Sequence, residues 1–416
     1  MKTLFSGGLV FDGDNPPSSG RDVLVENGRI AAVRPAGDFS GFAEKKIDAS
    51  GMTIMPGLID CHVHLSFGAE PPRELVAVVR QSSSSELALR SLENAQATLR
   101  GGITAARDCG DREYNALVVR DAINAARHLG PTLRCAGRCI CITGGQGSIF
   151  NGREVDSPDE TVKAVRESIK AGVDLIKFTA TGACTEPQAD PSLAELSPEA
   201  LAAGVGAAKA FGRPSACHAQ GTLGLGNAVR AGVASIEHGF TMTEEIIAEM
   251  IERRTYLVPT LCRFATFLAD ETTLPFMVEK VQQWSNLHRK AVMDFHRAGG
   301  LVAMGTDMGA PGSPHGENCQ ELRRLVEIGV SPLDALRIAT SRGADLLGFN
   351  DRGRVREGHW ADLLVVRGDP SKDIEAVADR TRHAYVFKNG FDVLATLGPP
   401  KSGAAFPRFA YERAAA

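Results

Sequence analysis

Eight apolar runs alternate with helical stretches through the middle of the chain, and strand-rich segments sit at both ends. Together they predict an α/β protein: a (β/α)8 TIM barrel with a small β-sandwich domain formed from both chain ends. The predicted division is 1–55 plus 350–396 for the small β-domain, 56–349 for the barrel and 397–416 for a C-terminal extension. A doubly wound open sheet is the competing architecture. It calls for a Gly-rich phosphate loop after a strand, and none of the right form is present.

Taken in order, residues 1–55 read as short strands and tight turns. "LVFDG", "DVLVENGRIAAVRP" and "KKIDASGMTIMPG" cluster apolar residues and break at Gly, Asn and Pro. Asn27-Gly28 is a two-residue hairpin signal, and Asn389-Gly390 repeats it near the other end. The eight barrel strands are expected in "GLIDCHVHL", "GITAARDCG", "TLRCAGRCICI", "VDLIKFTATGA", "RPSACHAQG", "ASIEHGF", "TYLVPTL" and "GLVAMGTDMG". Helices between them start at Ser157-Pro158 and Ser197-Pro198, where a cap residue precedes a first-turn proline. "HRKAVMDFHRAG" reads as an amphipathic scaffold helix, and "GPPKSGAAFPRFAYERAAA" as an extension.

The chain has 416 residues, of which 43% are hydrophobic, enough for a large core. With 46 basic and 50 acidic residues well mixed, nothing marks a nucleic-acid or membrane surface, and a small-molecule substrate suits this balance. The opening residues read as a first strand rather than a secretory leader, and no apolar run is long enough to span a bilayer. The nine cysteines are expected as buried, reduced thiols of a cytoplasmic protein. Cys135, Cys139 and Cys141 share strand parity, but without a CxxC pair a metal cluster there is the weaker reading.

In a barrel of this kind, polar residues at the C-terminal ends of strands carry the chemistry. His62 and His64 end the first apolar run, Lys177 lies in the fourth, and His218, His238 and Asp307 end the fifth, sixth and eighth. Residues i and i+2 of a strand point to one side, so both first-strand imidazoles face the barrel mouth, where they suit a metal better than a core. His128, His288, His296, His359 and His383 are read as structural. Lys177 has two plain alternatives, a core-edge lysine or an ion pair with Asp174. Arg107-Asp108 is either an internal ion pair, which is favoured, or a pair supporting the ligands.

"PGLIDCHVHL" with Lys177, His218, His238 and Asp307 resembles the amidohydrolase superfamily of metal-dependent hydrolases, and "GRVREGHWADLLVV" resembles that family's return segment into the small domain. The resemblance implies His62, His64 and Asp307 on one divalent metal, His218 and His238 on a second, and Lys177, carboxylated by carbon dioxide, bridging them. Zinc is the first expectation for both ions. It further implies hydrolysis of a C–N bond in an amide, cyclic amide, urea or peptide, with Asp307 carrying the proton, in a homo-oligomer. A mononuclear deaminase of the same superfamily and an inactive binding or assembly relative are the alternatives; the lysine argues against the first and the complete ligand set against the second.

"VDLIKFTATGA", "CHAQGTLGLGNAVRAGVASIEHG" and "GTDMGAPGSPHGEN" are similar to the branch of Xaa-Pro and Xaa-Arg/Lys dipeptidases. That branch often carries histidine where this chain has Gln146, in "TGGQG", and histidine or tyrosine where it has Gln220, in "HAQG". The resemblance makes Gln146 and Gln220 substrate-binding candidates. Gln146 can hydrogen-bond a carboxylate but brings no charge, so N-acyl amino acids, aryl amides and carbamates stand level with free dipeptides. Neutral variation in a Gly-rich loop is the other reading of Gln146. His315, in "GSPHGEN", either meets substrate or organises its loop.

Overall fold

The computed structural model describes residues 2–39 and 43–398, with backbone alone at 72 and 73. Apart from residues 397 and 398, the expected C-terminal extension lies outside the described residues.

The two chain ends build two small sheets. One has the order Arg29–Pro35, Arg21–Glu26, Lys2–Ser6, Lys45–Asp48. The other has the order Phe391–Asp392, His383–Lys388, Leu363–Arg367, Met52–Pro56, Leu9–Val10, and so interleaves early and late segments. Within it Val365 lies opposite Ile54 in an antiparallel ladder. Phe5, Val23 and Ile47 of the first sheet share a buried core with Ile54, Val365 and Phe387 of the second. Phe5 meets Phe387 edge-on at 5.1 Å. Each such side chain contributes about 1.5–3 kcal/mol by leaving water. The hairpin signals are realised: Asn27 and Gly28 have φ of 52° and 80°, and Asn389 and Gly390 have 49° and 77°.

Between the ends the strands run parallel. One sheet has the order Gly152–Glu154, Cys139–Cys141, Ile176–Thr179, Ser215–Ala219, Ser235–His238, Tyr256–Val258; a second has Leu58–Val63, Ile103–Asp108, Thr132–Cys135. Helices separate them. Pro158–Ala171 and Pro198–Ala210 begin where expected, their first-turn N–H groups capped by the Ser157 and Ser197 side chains. Phe178, Leu201, Val205, Leu225 and Ile236 bring helices and strands into one continuous core.

Two of the eight expected strands differ. The third is split into Thr132–Cys135 and Cys139–Cys141, because Gly137 between them turns left-handed at φ 68°. The eighth is no continuous ladder. Residues 301–308 make single parallel bridges, Leu257 to Val302 and Val63 to Met308. Their N–H groups are diverted: Thr306 N is 3.1 Å from Asp60 Oδ1, and Met308 N is 3.2 Å from Thr306 Oγ1. Backbone bonds still tie the segment to both sides, from Ala303 N to Leu257 O and from Cys61 N to Met304 O. Gly305 permits the approach, since a Cβ there would lie 2.2 Å from Val258 Cγ1 and 2.9 Å from His62 Cβ.

All nine cysteines are buried and unpaired. Among the described residues no metal-compatible group contains Cys135, Cys139 or Cys141. No helix of the described residues is long and apolar enough to cross a membrane.

Candidate metal centre

The parallel ladders bring the expected residues together. Thr179, two residues beyond Lys177, lies opposite His218, and Ala219 lies opposite His238. His62, His64, Lys177, His218, His238 and Asp307 all line one cavity of about 330 Å³. Ring centroids are 5.3 Å apart for His62–His64, 5.2 Å for His62–His238 and 4.7 Å for His218–His238. Asp307 Oδ1 is 3.2 Å from His64 Nε2 and 3.5 Å from His62 Nε2.

Each imidazole has one nitrogen fixed from outside. His62 Nδ1 lies 2.7 Å from Glu237 Oε2, His64 Nδ1 lies 2.9 Å from Gly110 O, and His238 Nδ1 lies 2.7 Å from Thr260 Oγ1. His218 is held the other way, with Nε2 3.3 Å from Gly182 O. Such outer partners set tautomer and ring orientation. Burial, then the Lys177 charge, lowers His62 to about 4 and His218 to about 3. Burial and the neighbouring His218 take His238 well below the ordinary value. Burial also disfavours the charged form of His64, but its hydrogen bond to Asp307 outweighs that and the net shift is upward. Asp307 is held far below the carboxylate range: burial opposes this, and the His64 hydrogen bond with the His62 and Arg263 charges prevails. Neutral imidazoles and an ionised carboxylate are the forms that ligate metals.

Two further observations mark the site. His238 and Asp307 have φ of 73° and 61°, left-handed values that non-glycine residues adopt at a cost of about 1–3 kcal/mol. Lys177 is buried, yet its Nζ has no hydrogen-bond partner. Asp174 does not supply one; it pairs with Arg120 at 2.7 Å and Arg134 at 3.5 Å. Divalent cations fit this donor set. His62, His238 and Asp307 already present ligand atoms within 4.8 Å of one another, and the orphaned amine faces the same cavity.

Arg107 and Asp108 are not paired, which corrects the favoured sequence reading. Arg107 instead reaches Glu237 at 2.7 Å, and so backs His62 through that carboxylate, while Asp108 accepts the Leu65 and Gly110 N–H groups. The two residues alternate on their strand, so they face different neighbours. Gln146 and Gln220 both line the cavity. Gln146 Oε1 accepts from Thr185 Oγ1 at 3.2 Å, and Gln220 Oε1 is buried without a partner. His315 is not in the lining. Its nitrogens meet Thr98 Oγ1 and the carbonyls of His64 and Phe67, so it fastens the loop after the first strand.

Three groups escaped the sequence reading. Asp60 ties the first strand to 301–308 by accepting Thr306 Oγ1 and Asn318 Nδ2, both at 2.6 Å. Glu237 buttresses His62. Arg263, on the helix Leu261–Ala269, reaches Asp307 Oδ2 at 3.3 Å and lines the cavity. The available signal was a charge inside an apolar run, in "GLID", "SIEH" and "LCRFATFLA". Most of the remaining wall is apolar, with Phe67, Leu75, Phe150, Phe264, Phe267 and Phe276, and Glu186 and Asn151 are among its polar members.

Comparison with known proteins follows the same lines. The model of the amidohydrolase family matches residues 53–391. Ochratoxinase of Aspergillus niger is 29% identical over 93% of this chain and 86% of its own. Imidazolonepropionase of Methylobacterium nodulans is 26% identical over 93% of this chain and 92% of its own. The crystal structure of a Xaa-Pro dipeptidase with bound methionine in the active site superposes with a TM-score of 0.85 at 30% identity, covering 94% of this chain and 99% of that one.

Proposed function

The chain belongs to the amidohydrolase family of hydrolases acting on carbon–nitrogen bonds, and from that premise we propose that it cleaves an amide with a large apolar or aromatic part at a binuclear metal centre. Members of this family generally use divalent metals. His62, His64 and Asp307 would hold one ion, His218 and His238 the other, and Lys177, as a carbamate formed with carbon dioxide, would join them. Zinc suits these ligands. When bound, the two ions supply Lewis acidity and a water of lowered pKa.

The chain's own residues do the rest. Asp307, kept ionised, takes up a proton and returns it to the leaving nitrogen. Burial keeps His62, His218 and His238 in the neutral form, and the outer partners of all four imidazoles fix their ring orientation. The aromatic wall seats the substrate's apolar part and excludes water, and Gln146 and Gln220 offer amide groups to its polar part. The observation that carries this reading is the gathering of six ligand-type side chains around one cavity, with Lys177 Nζ buried and unsatisfied among them.

A dipeptide is the second reading, favoured by Glu186, a buried acid in the cavity wall able to meet a free amino group. The same proposal takes the parallel strands and 301–308 as one closed (β/α)8 barrel over 56–349, 1–55 with 350–396 as the small domain, and a cytoplasmic homo-oligomer as the working form. Zinc-loaded protein assayed against aromatic N-acyl amino acids, aryl amides, carbamates and dipeptides tests the function. Turnover of the aromatic amides is expected; fully metallated protein inert towards the whole panel contradicts it.

A further inference from the structure

Arg263 has more donors than the protein satisfies. Its side chain is 4% exposed, with Nε 3.3 Å from Asp307 Oδ2. Nη1 donates to Pro311 O at 3.0 Å, and the guanidinium lies 3.9 Å over the Phe267 ring. Among the described residues Nη2 makes no hydrogen bond, although the side chain lines the cavity. A guanidinium carries five N–H donors in a planar fork that matches a carboxylate. The stacking and the Pro311 bond fix that fork before any ligand arrives, so little side-chain entropy remains to be lost on binding.

The position of the fork restricts what it can meet. Lys280 is not in the cavity lining and is tied to the carbonyls of Glu186, Pro187 and Ala189, and Gln146 has no charge. Outside the six-residue cluster, Arg263 is therefore the cation that the described cavity wall offers a substrate. It also stands beside Asp307, which handles the proton of the leaving nitrogen. An anion at Arg263 thus lies on the Asp307 side of the cavity, the side of the leaving nitrogen, where an amino-acid leaving group would carry its carboxylate.

We propose that Arg263 selects substrates carrying a carboxylate on the carbon attached to the scissile nitrogen, so that the substrate class is N-acylated amino acids with an aromatic part. The proposal rests on the amide-hydrolase reading above and deepens it. The competing role for Arg263 is to position Asp307 alone.

N-benzoyl-L-phenylalanine and N-benzoylphenethylamine differ by that carboxylate only, and both release benzoate. With zinc-loaded protein the acid is preferred by about 10- to 100-fold in kcat/KM, mainly through KM. Arg263→Gln collapses the preference to below about threefold at unchanged zinc content. Arg263→Lys, with charge but no fork, retains part of it. Calorimetry on metal-free protein, where no turnover occurs, shows the acid binding about tenfold more weakly to Arg263→Gln than to the parent.

Equal loss on both substrates through kcat, with acid binding unchanged, overturns the proposal in favour of positioning. Hydrolysis of both substrates by the parent without preference also overturns it and leaves amide hydrolysis standing. If neither is hydrolysed, the amide reading fails for this class. The calorimetric difference then decides Arg263 by itself: a weakened acid supports the assignment and an unchanged one removes it.

Discussion

Lys177 and Glu237 show how a single buried charge constrains this site. An amine sealed in an apolar strand without a partner is costly unless something else satisfies it. Lys177→Ala is expected to lose one of two bound metals and at least about 100-fold in kcat, checked by metal analysis beside steady-state rates; full metal content at the parent rate would remove the lysine from the site. Glu237 faces both Arg107 and His62. Glu237→Gln leaves the buried Arg107 without a counter-charge, so denaturant unfolding is expected to register a loss of about 3–5 kcal/mol. Zinc affinity is expected to fall about 10- to 100-fold through the loosened His62 ring. An affinity within twofold of the parent would show that the carboxylate does not orient the ligand. The histidines and Lys177 were legible in the sequence because imidazoles and an amine inside apolar strands have few structural uses. Glu237 and Arg263 were not. Spacing along a chain tells which side a residue takes, not which distant charge waits there.

At the scale of elements, the helix Leu261–Ala269 depends on a residue from another helix. Glu321 accepts the N–H groups of Leu261 at 2.8 Å and Cys262 at 2.7 Å, which sets the first turn that carries Arg263. Burial raises the Glu321 carboxyl from 4.5 to about 7, against those two hydrogen bonds. The folded state therefore keeps a proton that the unfolded chain releases, and its stability falls as pH rises from about 4.5 to 7. The full cost above pH 7 is about 3 kcal/mol. Metal-free Glu321→Gln, which cannot titrate there, should lack this portion of the decline in unfolding curves between pH 5 and 7. Parallel profiles for the two proteins would place the carboxyl's titration elsewhere. Elements with local signals were readable in advance, as the caps at Ser157 and Ser197 and the Asn-Gly turns show. The breaks in the third and eighth strands were hidden. They arise from backbone N–H groups captured by Asp60 and Thr306 and from the turn at Gly137, and apolar pattern carries no record of either.

For the whole molecule, the junction between the small sheets and the parallel strands is a buried polar cluster. Asp362 Oδ2 holds Lys388 Nζ at 2.6 Å and Arg352 Nη1 at 2.9 Å, and both cations also reach Thr132 Oγ1 on the parallel sheet. Burial draws Lys388 down to about 8, against the opposing charge of Asp362. Asp362→Asn leaves two buried cations facing each other, and a loss of about 3–5 kcal/mol in denaturant unfolding is expected; a change below about 0.5 kcal/mol, as at an ordinary surface position, would mean that the cluster does not fasten the two parts. That both chain ends share one core was readable from their strand-rich composition, whereas this junction was not, since its members lie far apart in sequence. Binuclear catalysis requires that this one cavity bind two ions. Its most direct test is a zinc count per chain on protein reconstituted with zinc and bicarbonate, alongside Lys177→Ala treated identically. Two ions in the parent and one in the variant are predicted. One ion or fewer in the parent, or equal counts in both proteins, would contradict the binuclear centre and the bridging role of Lys177.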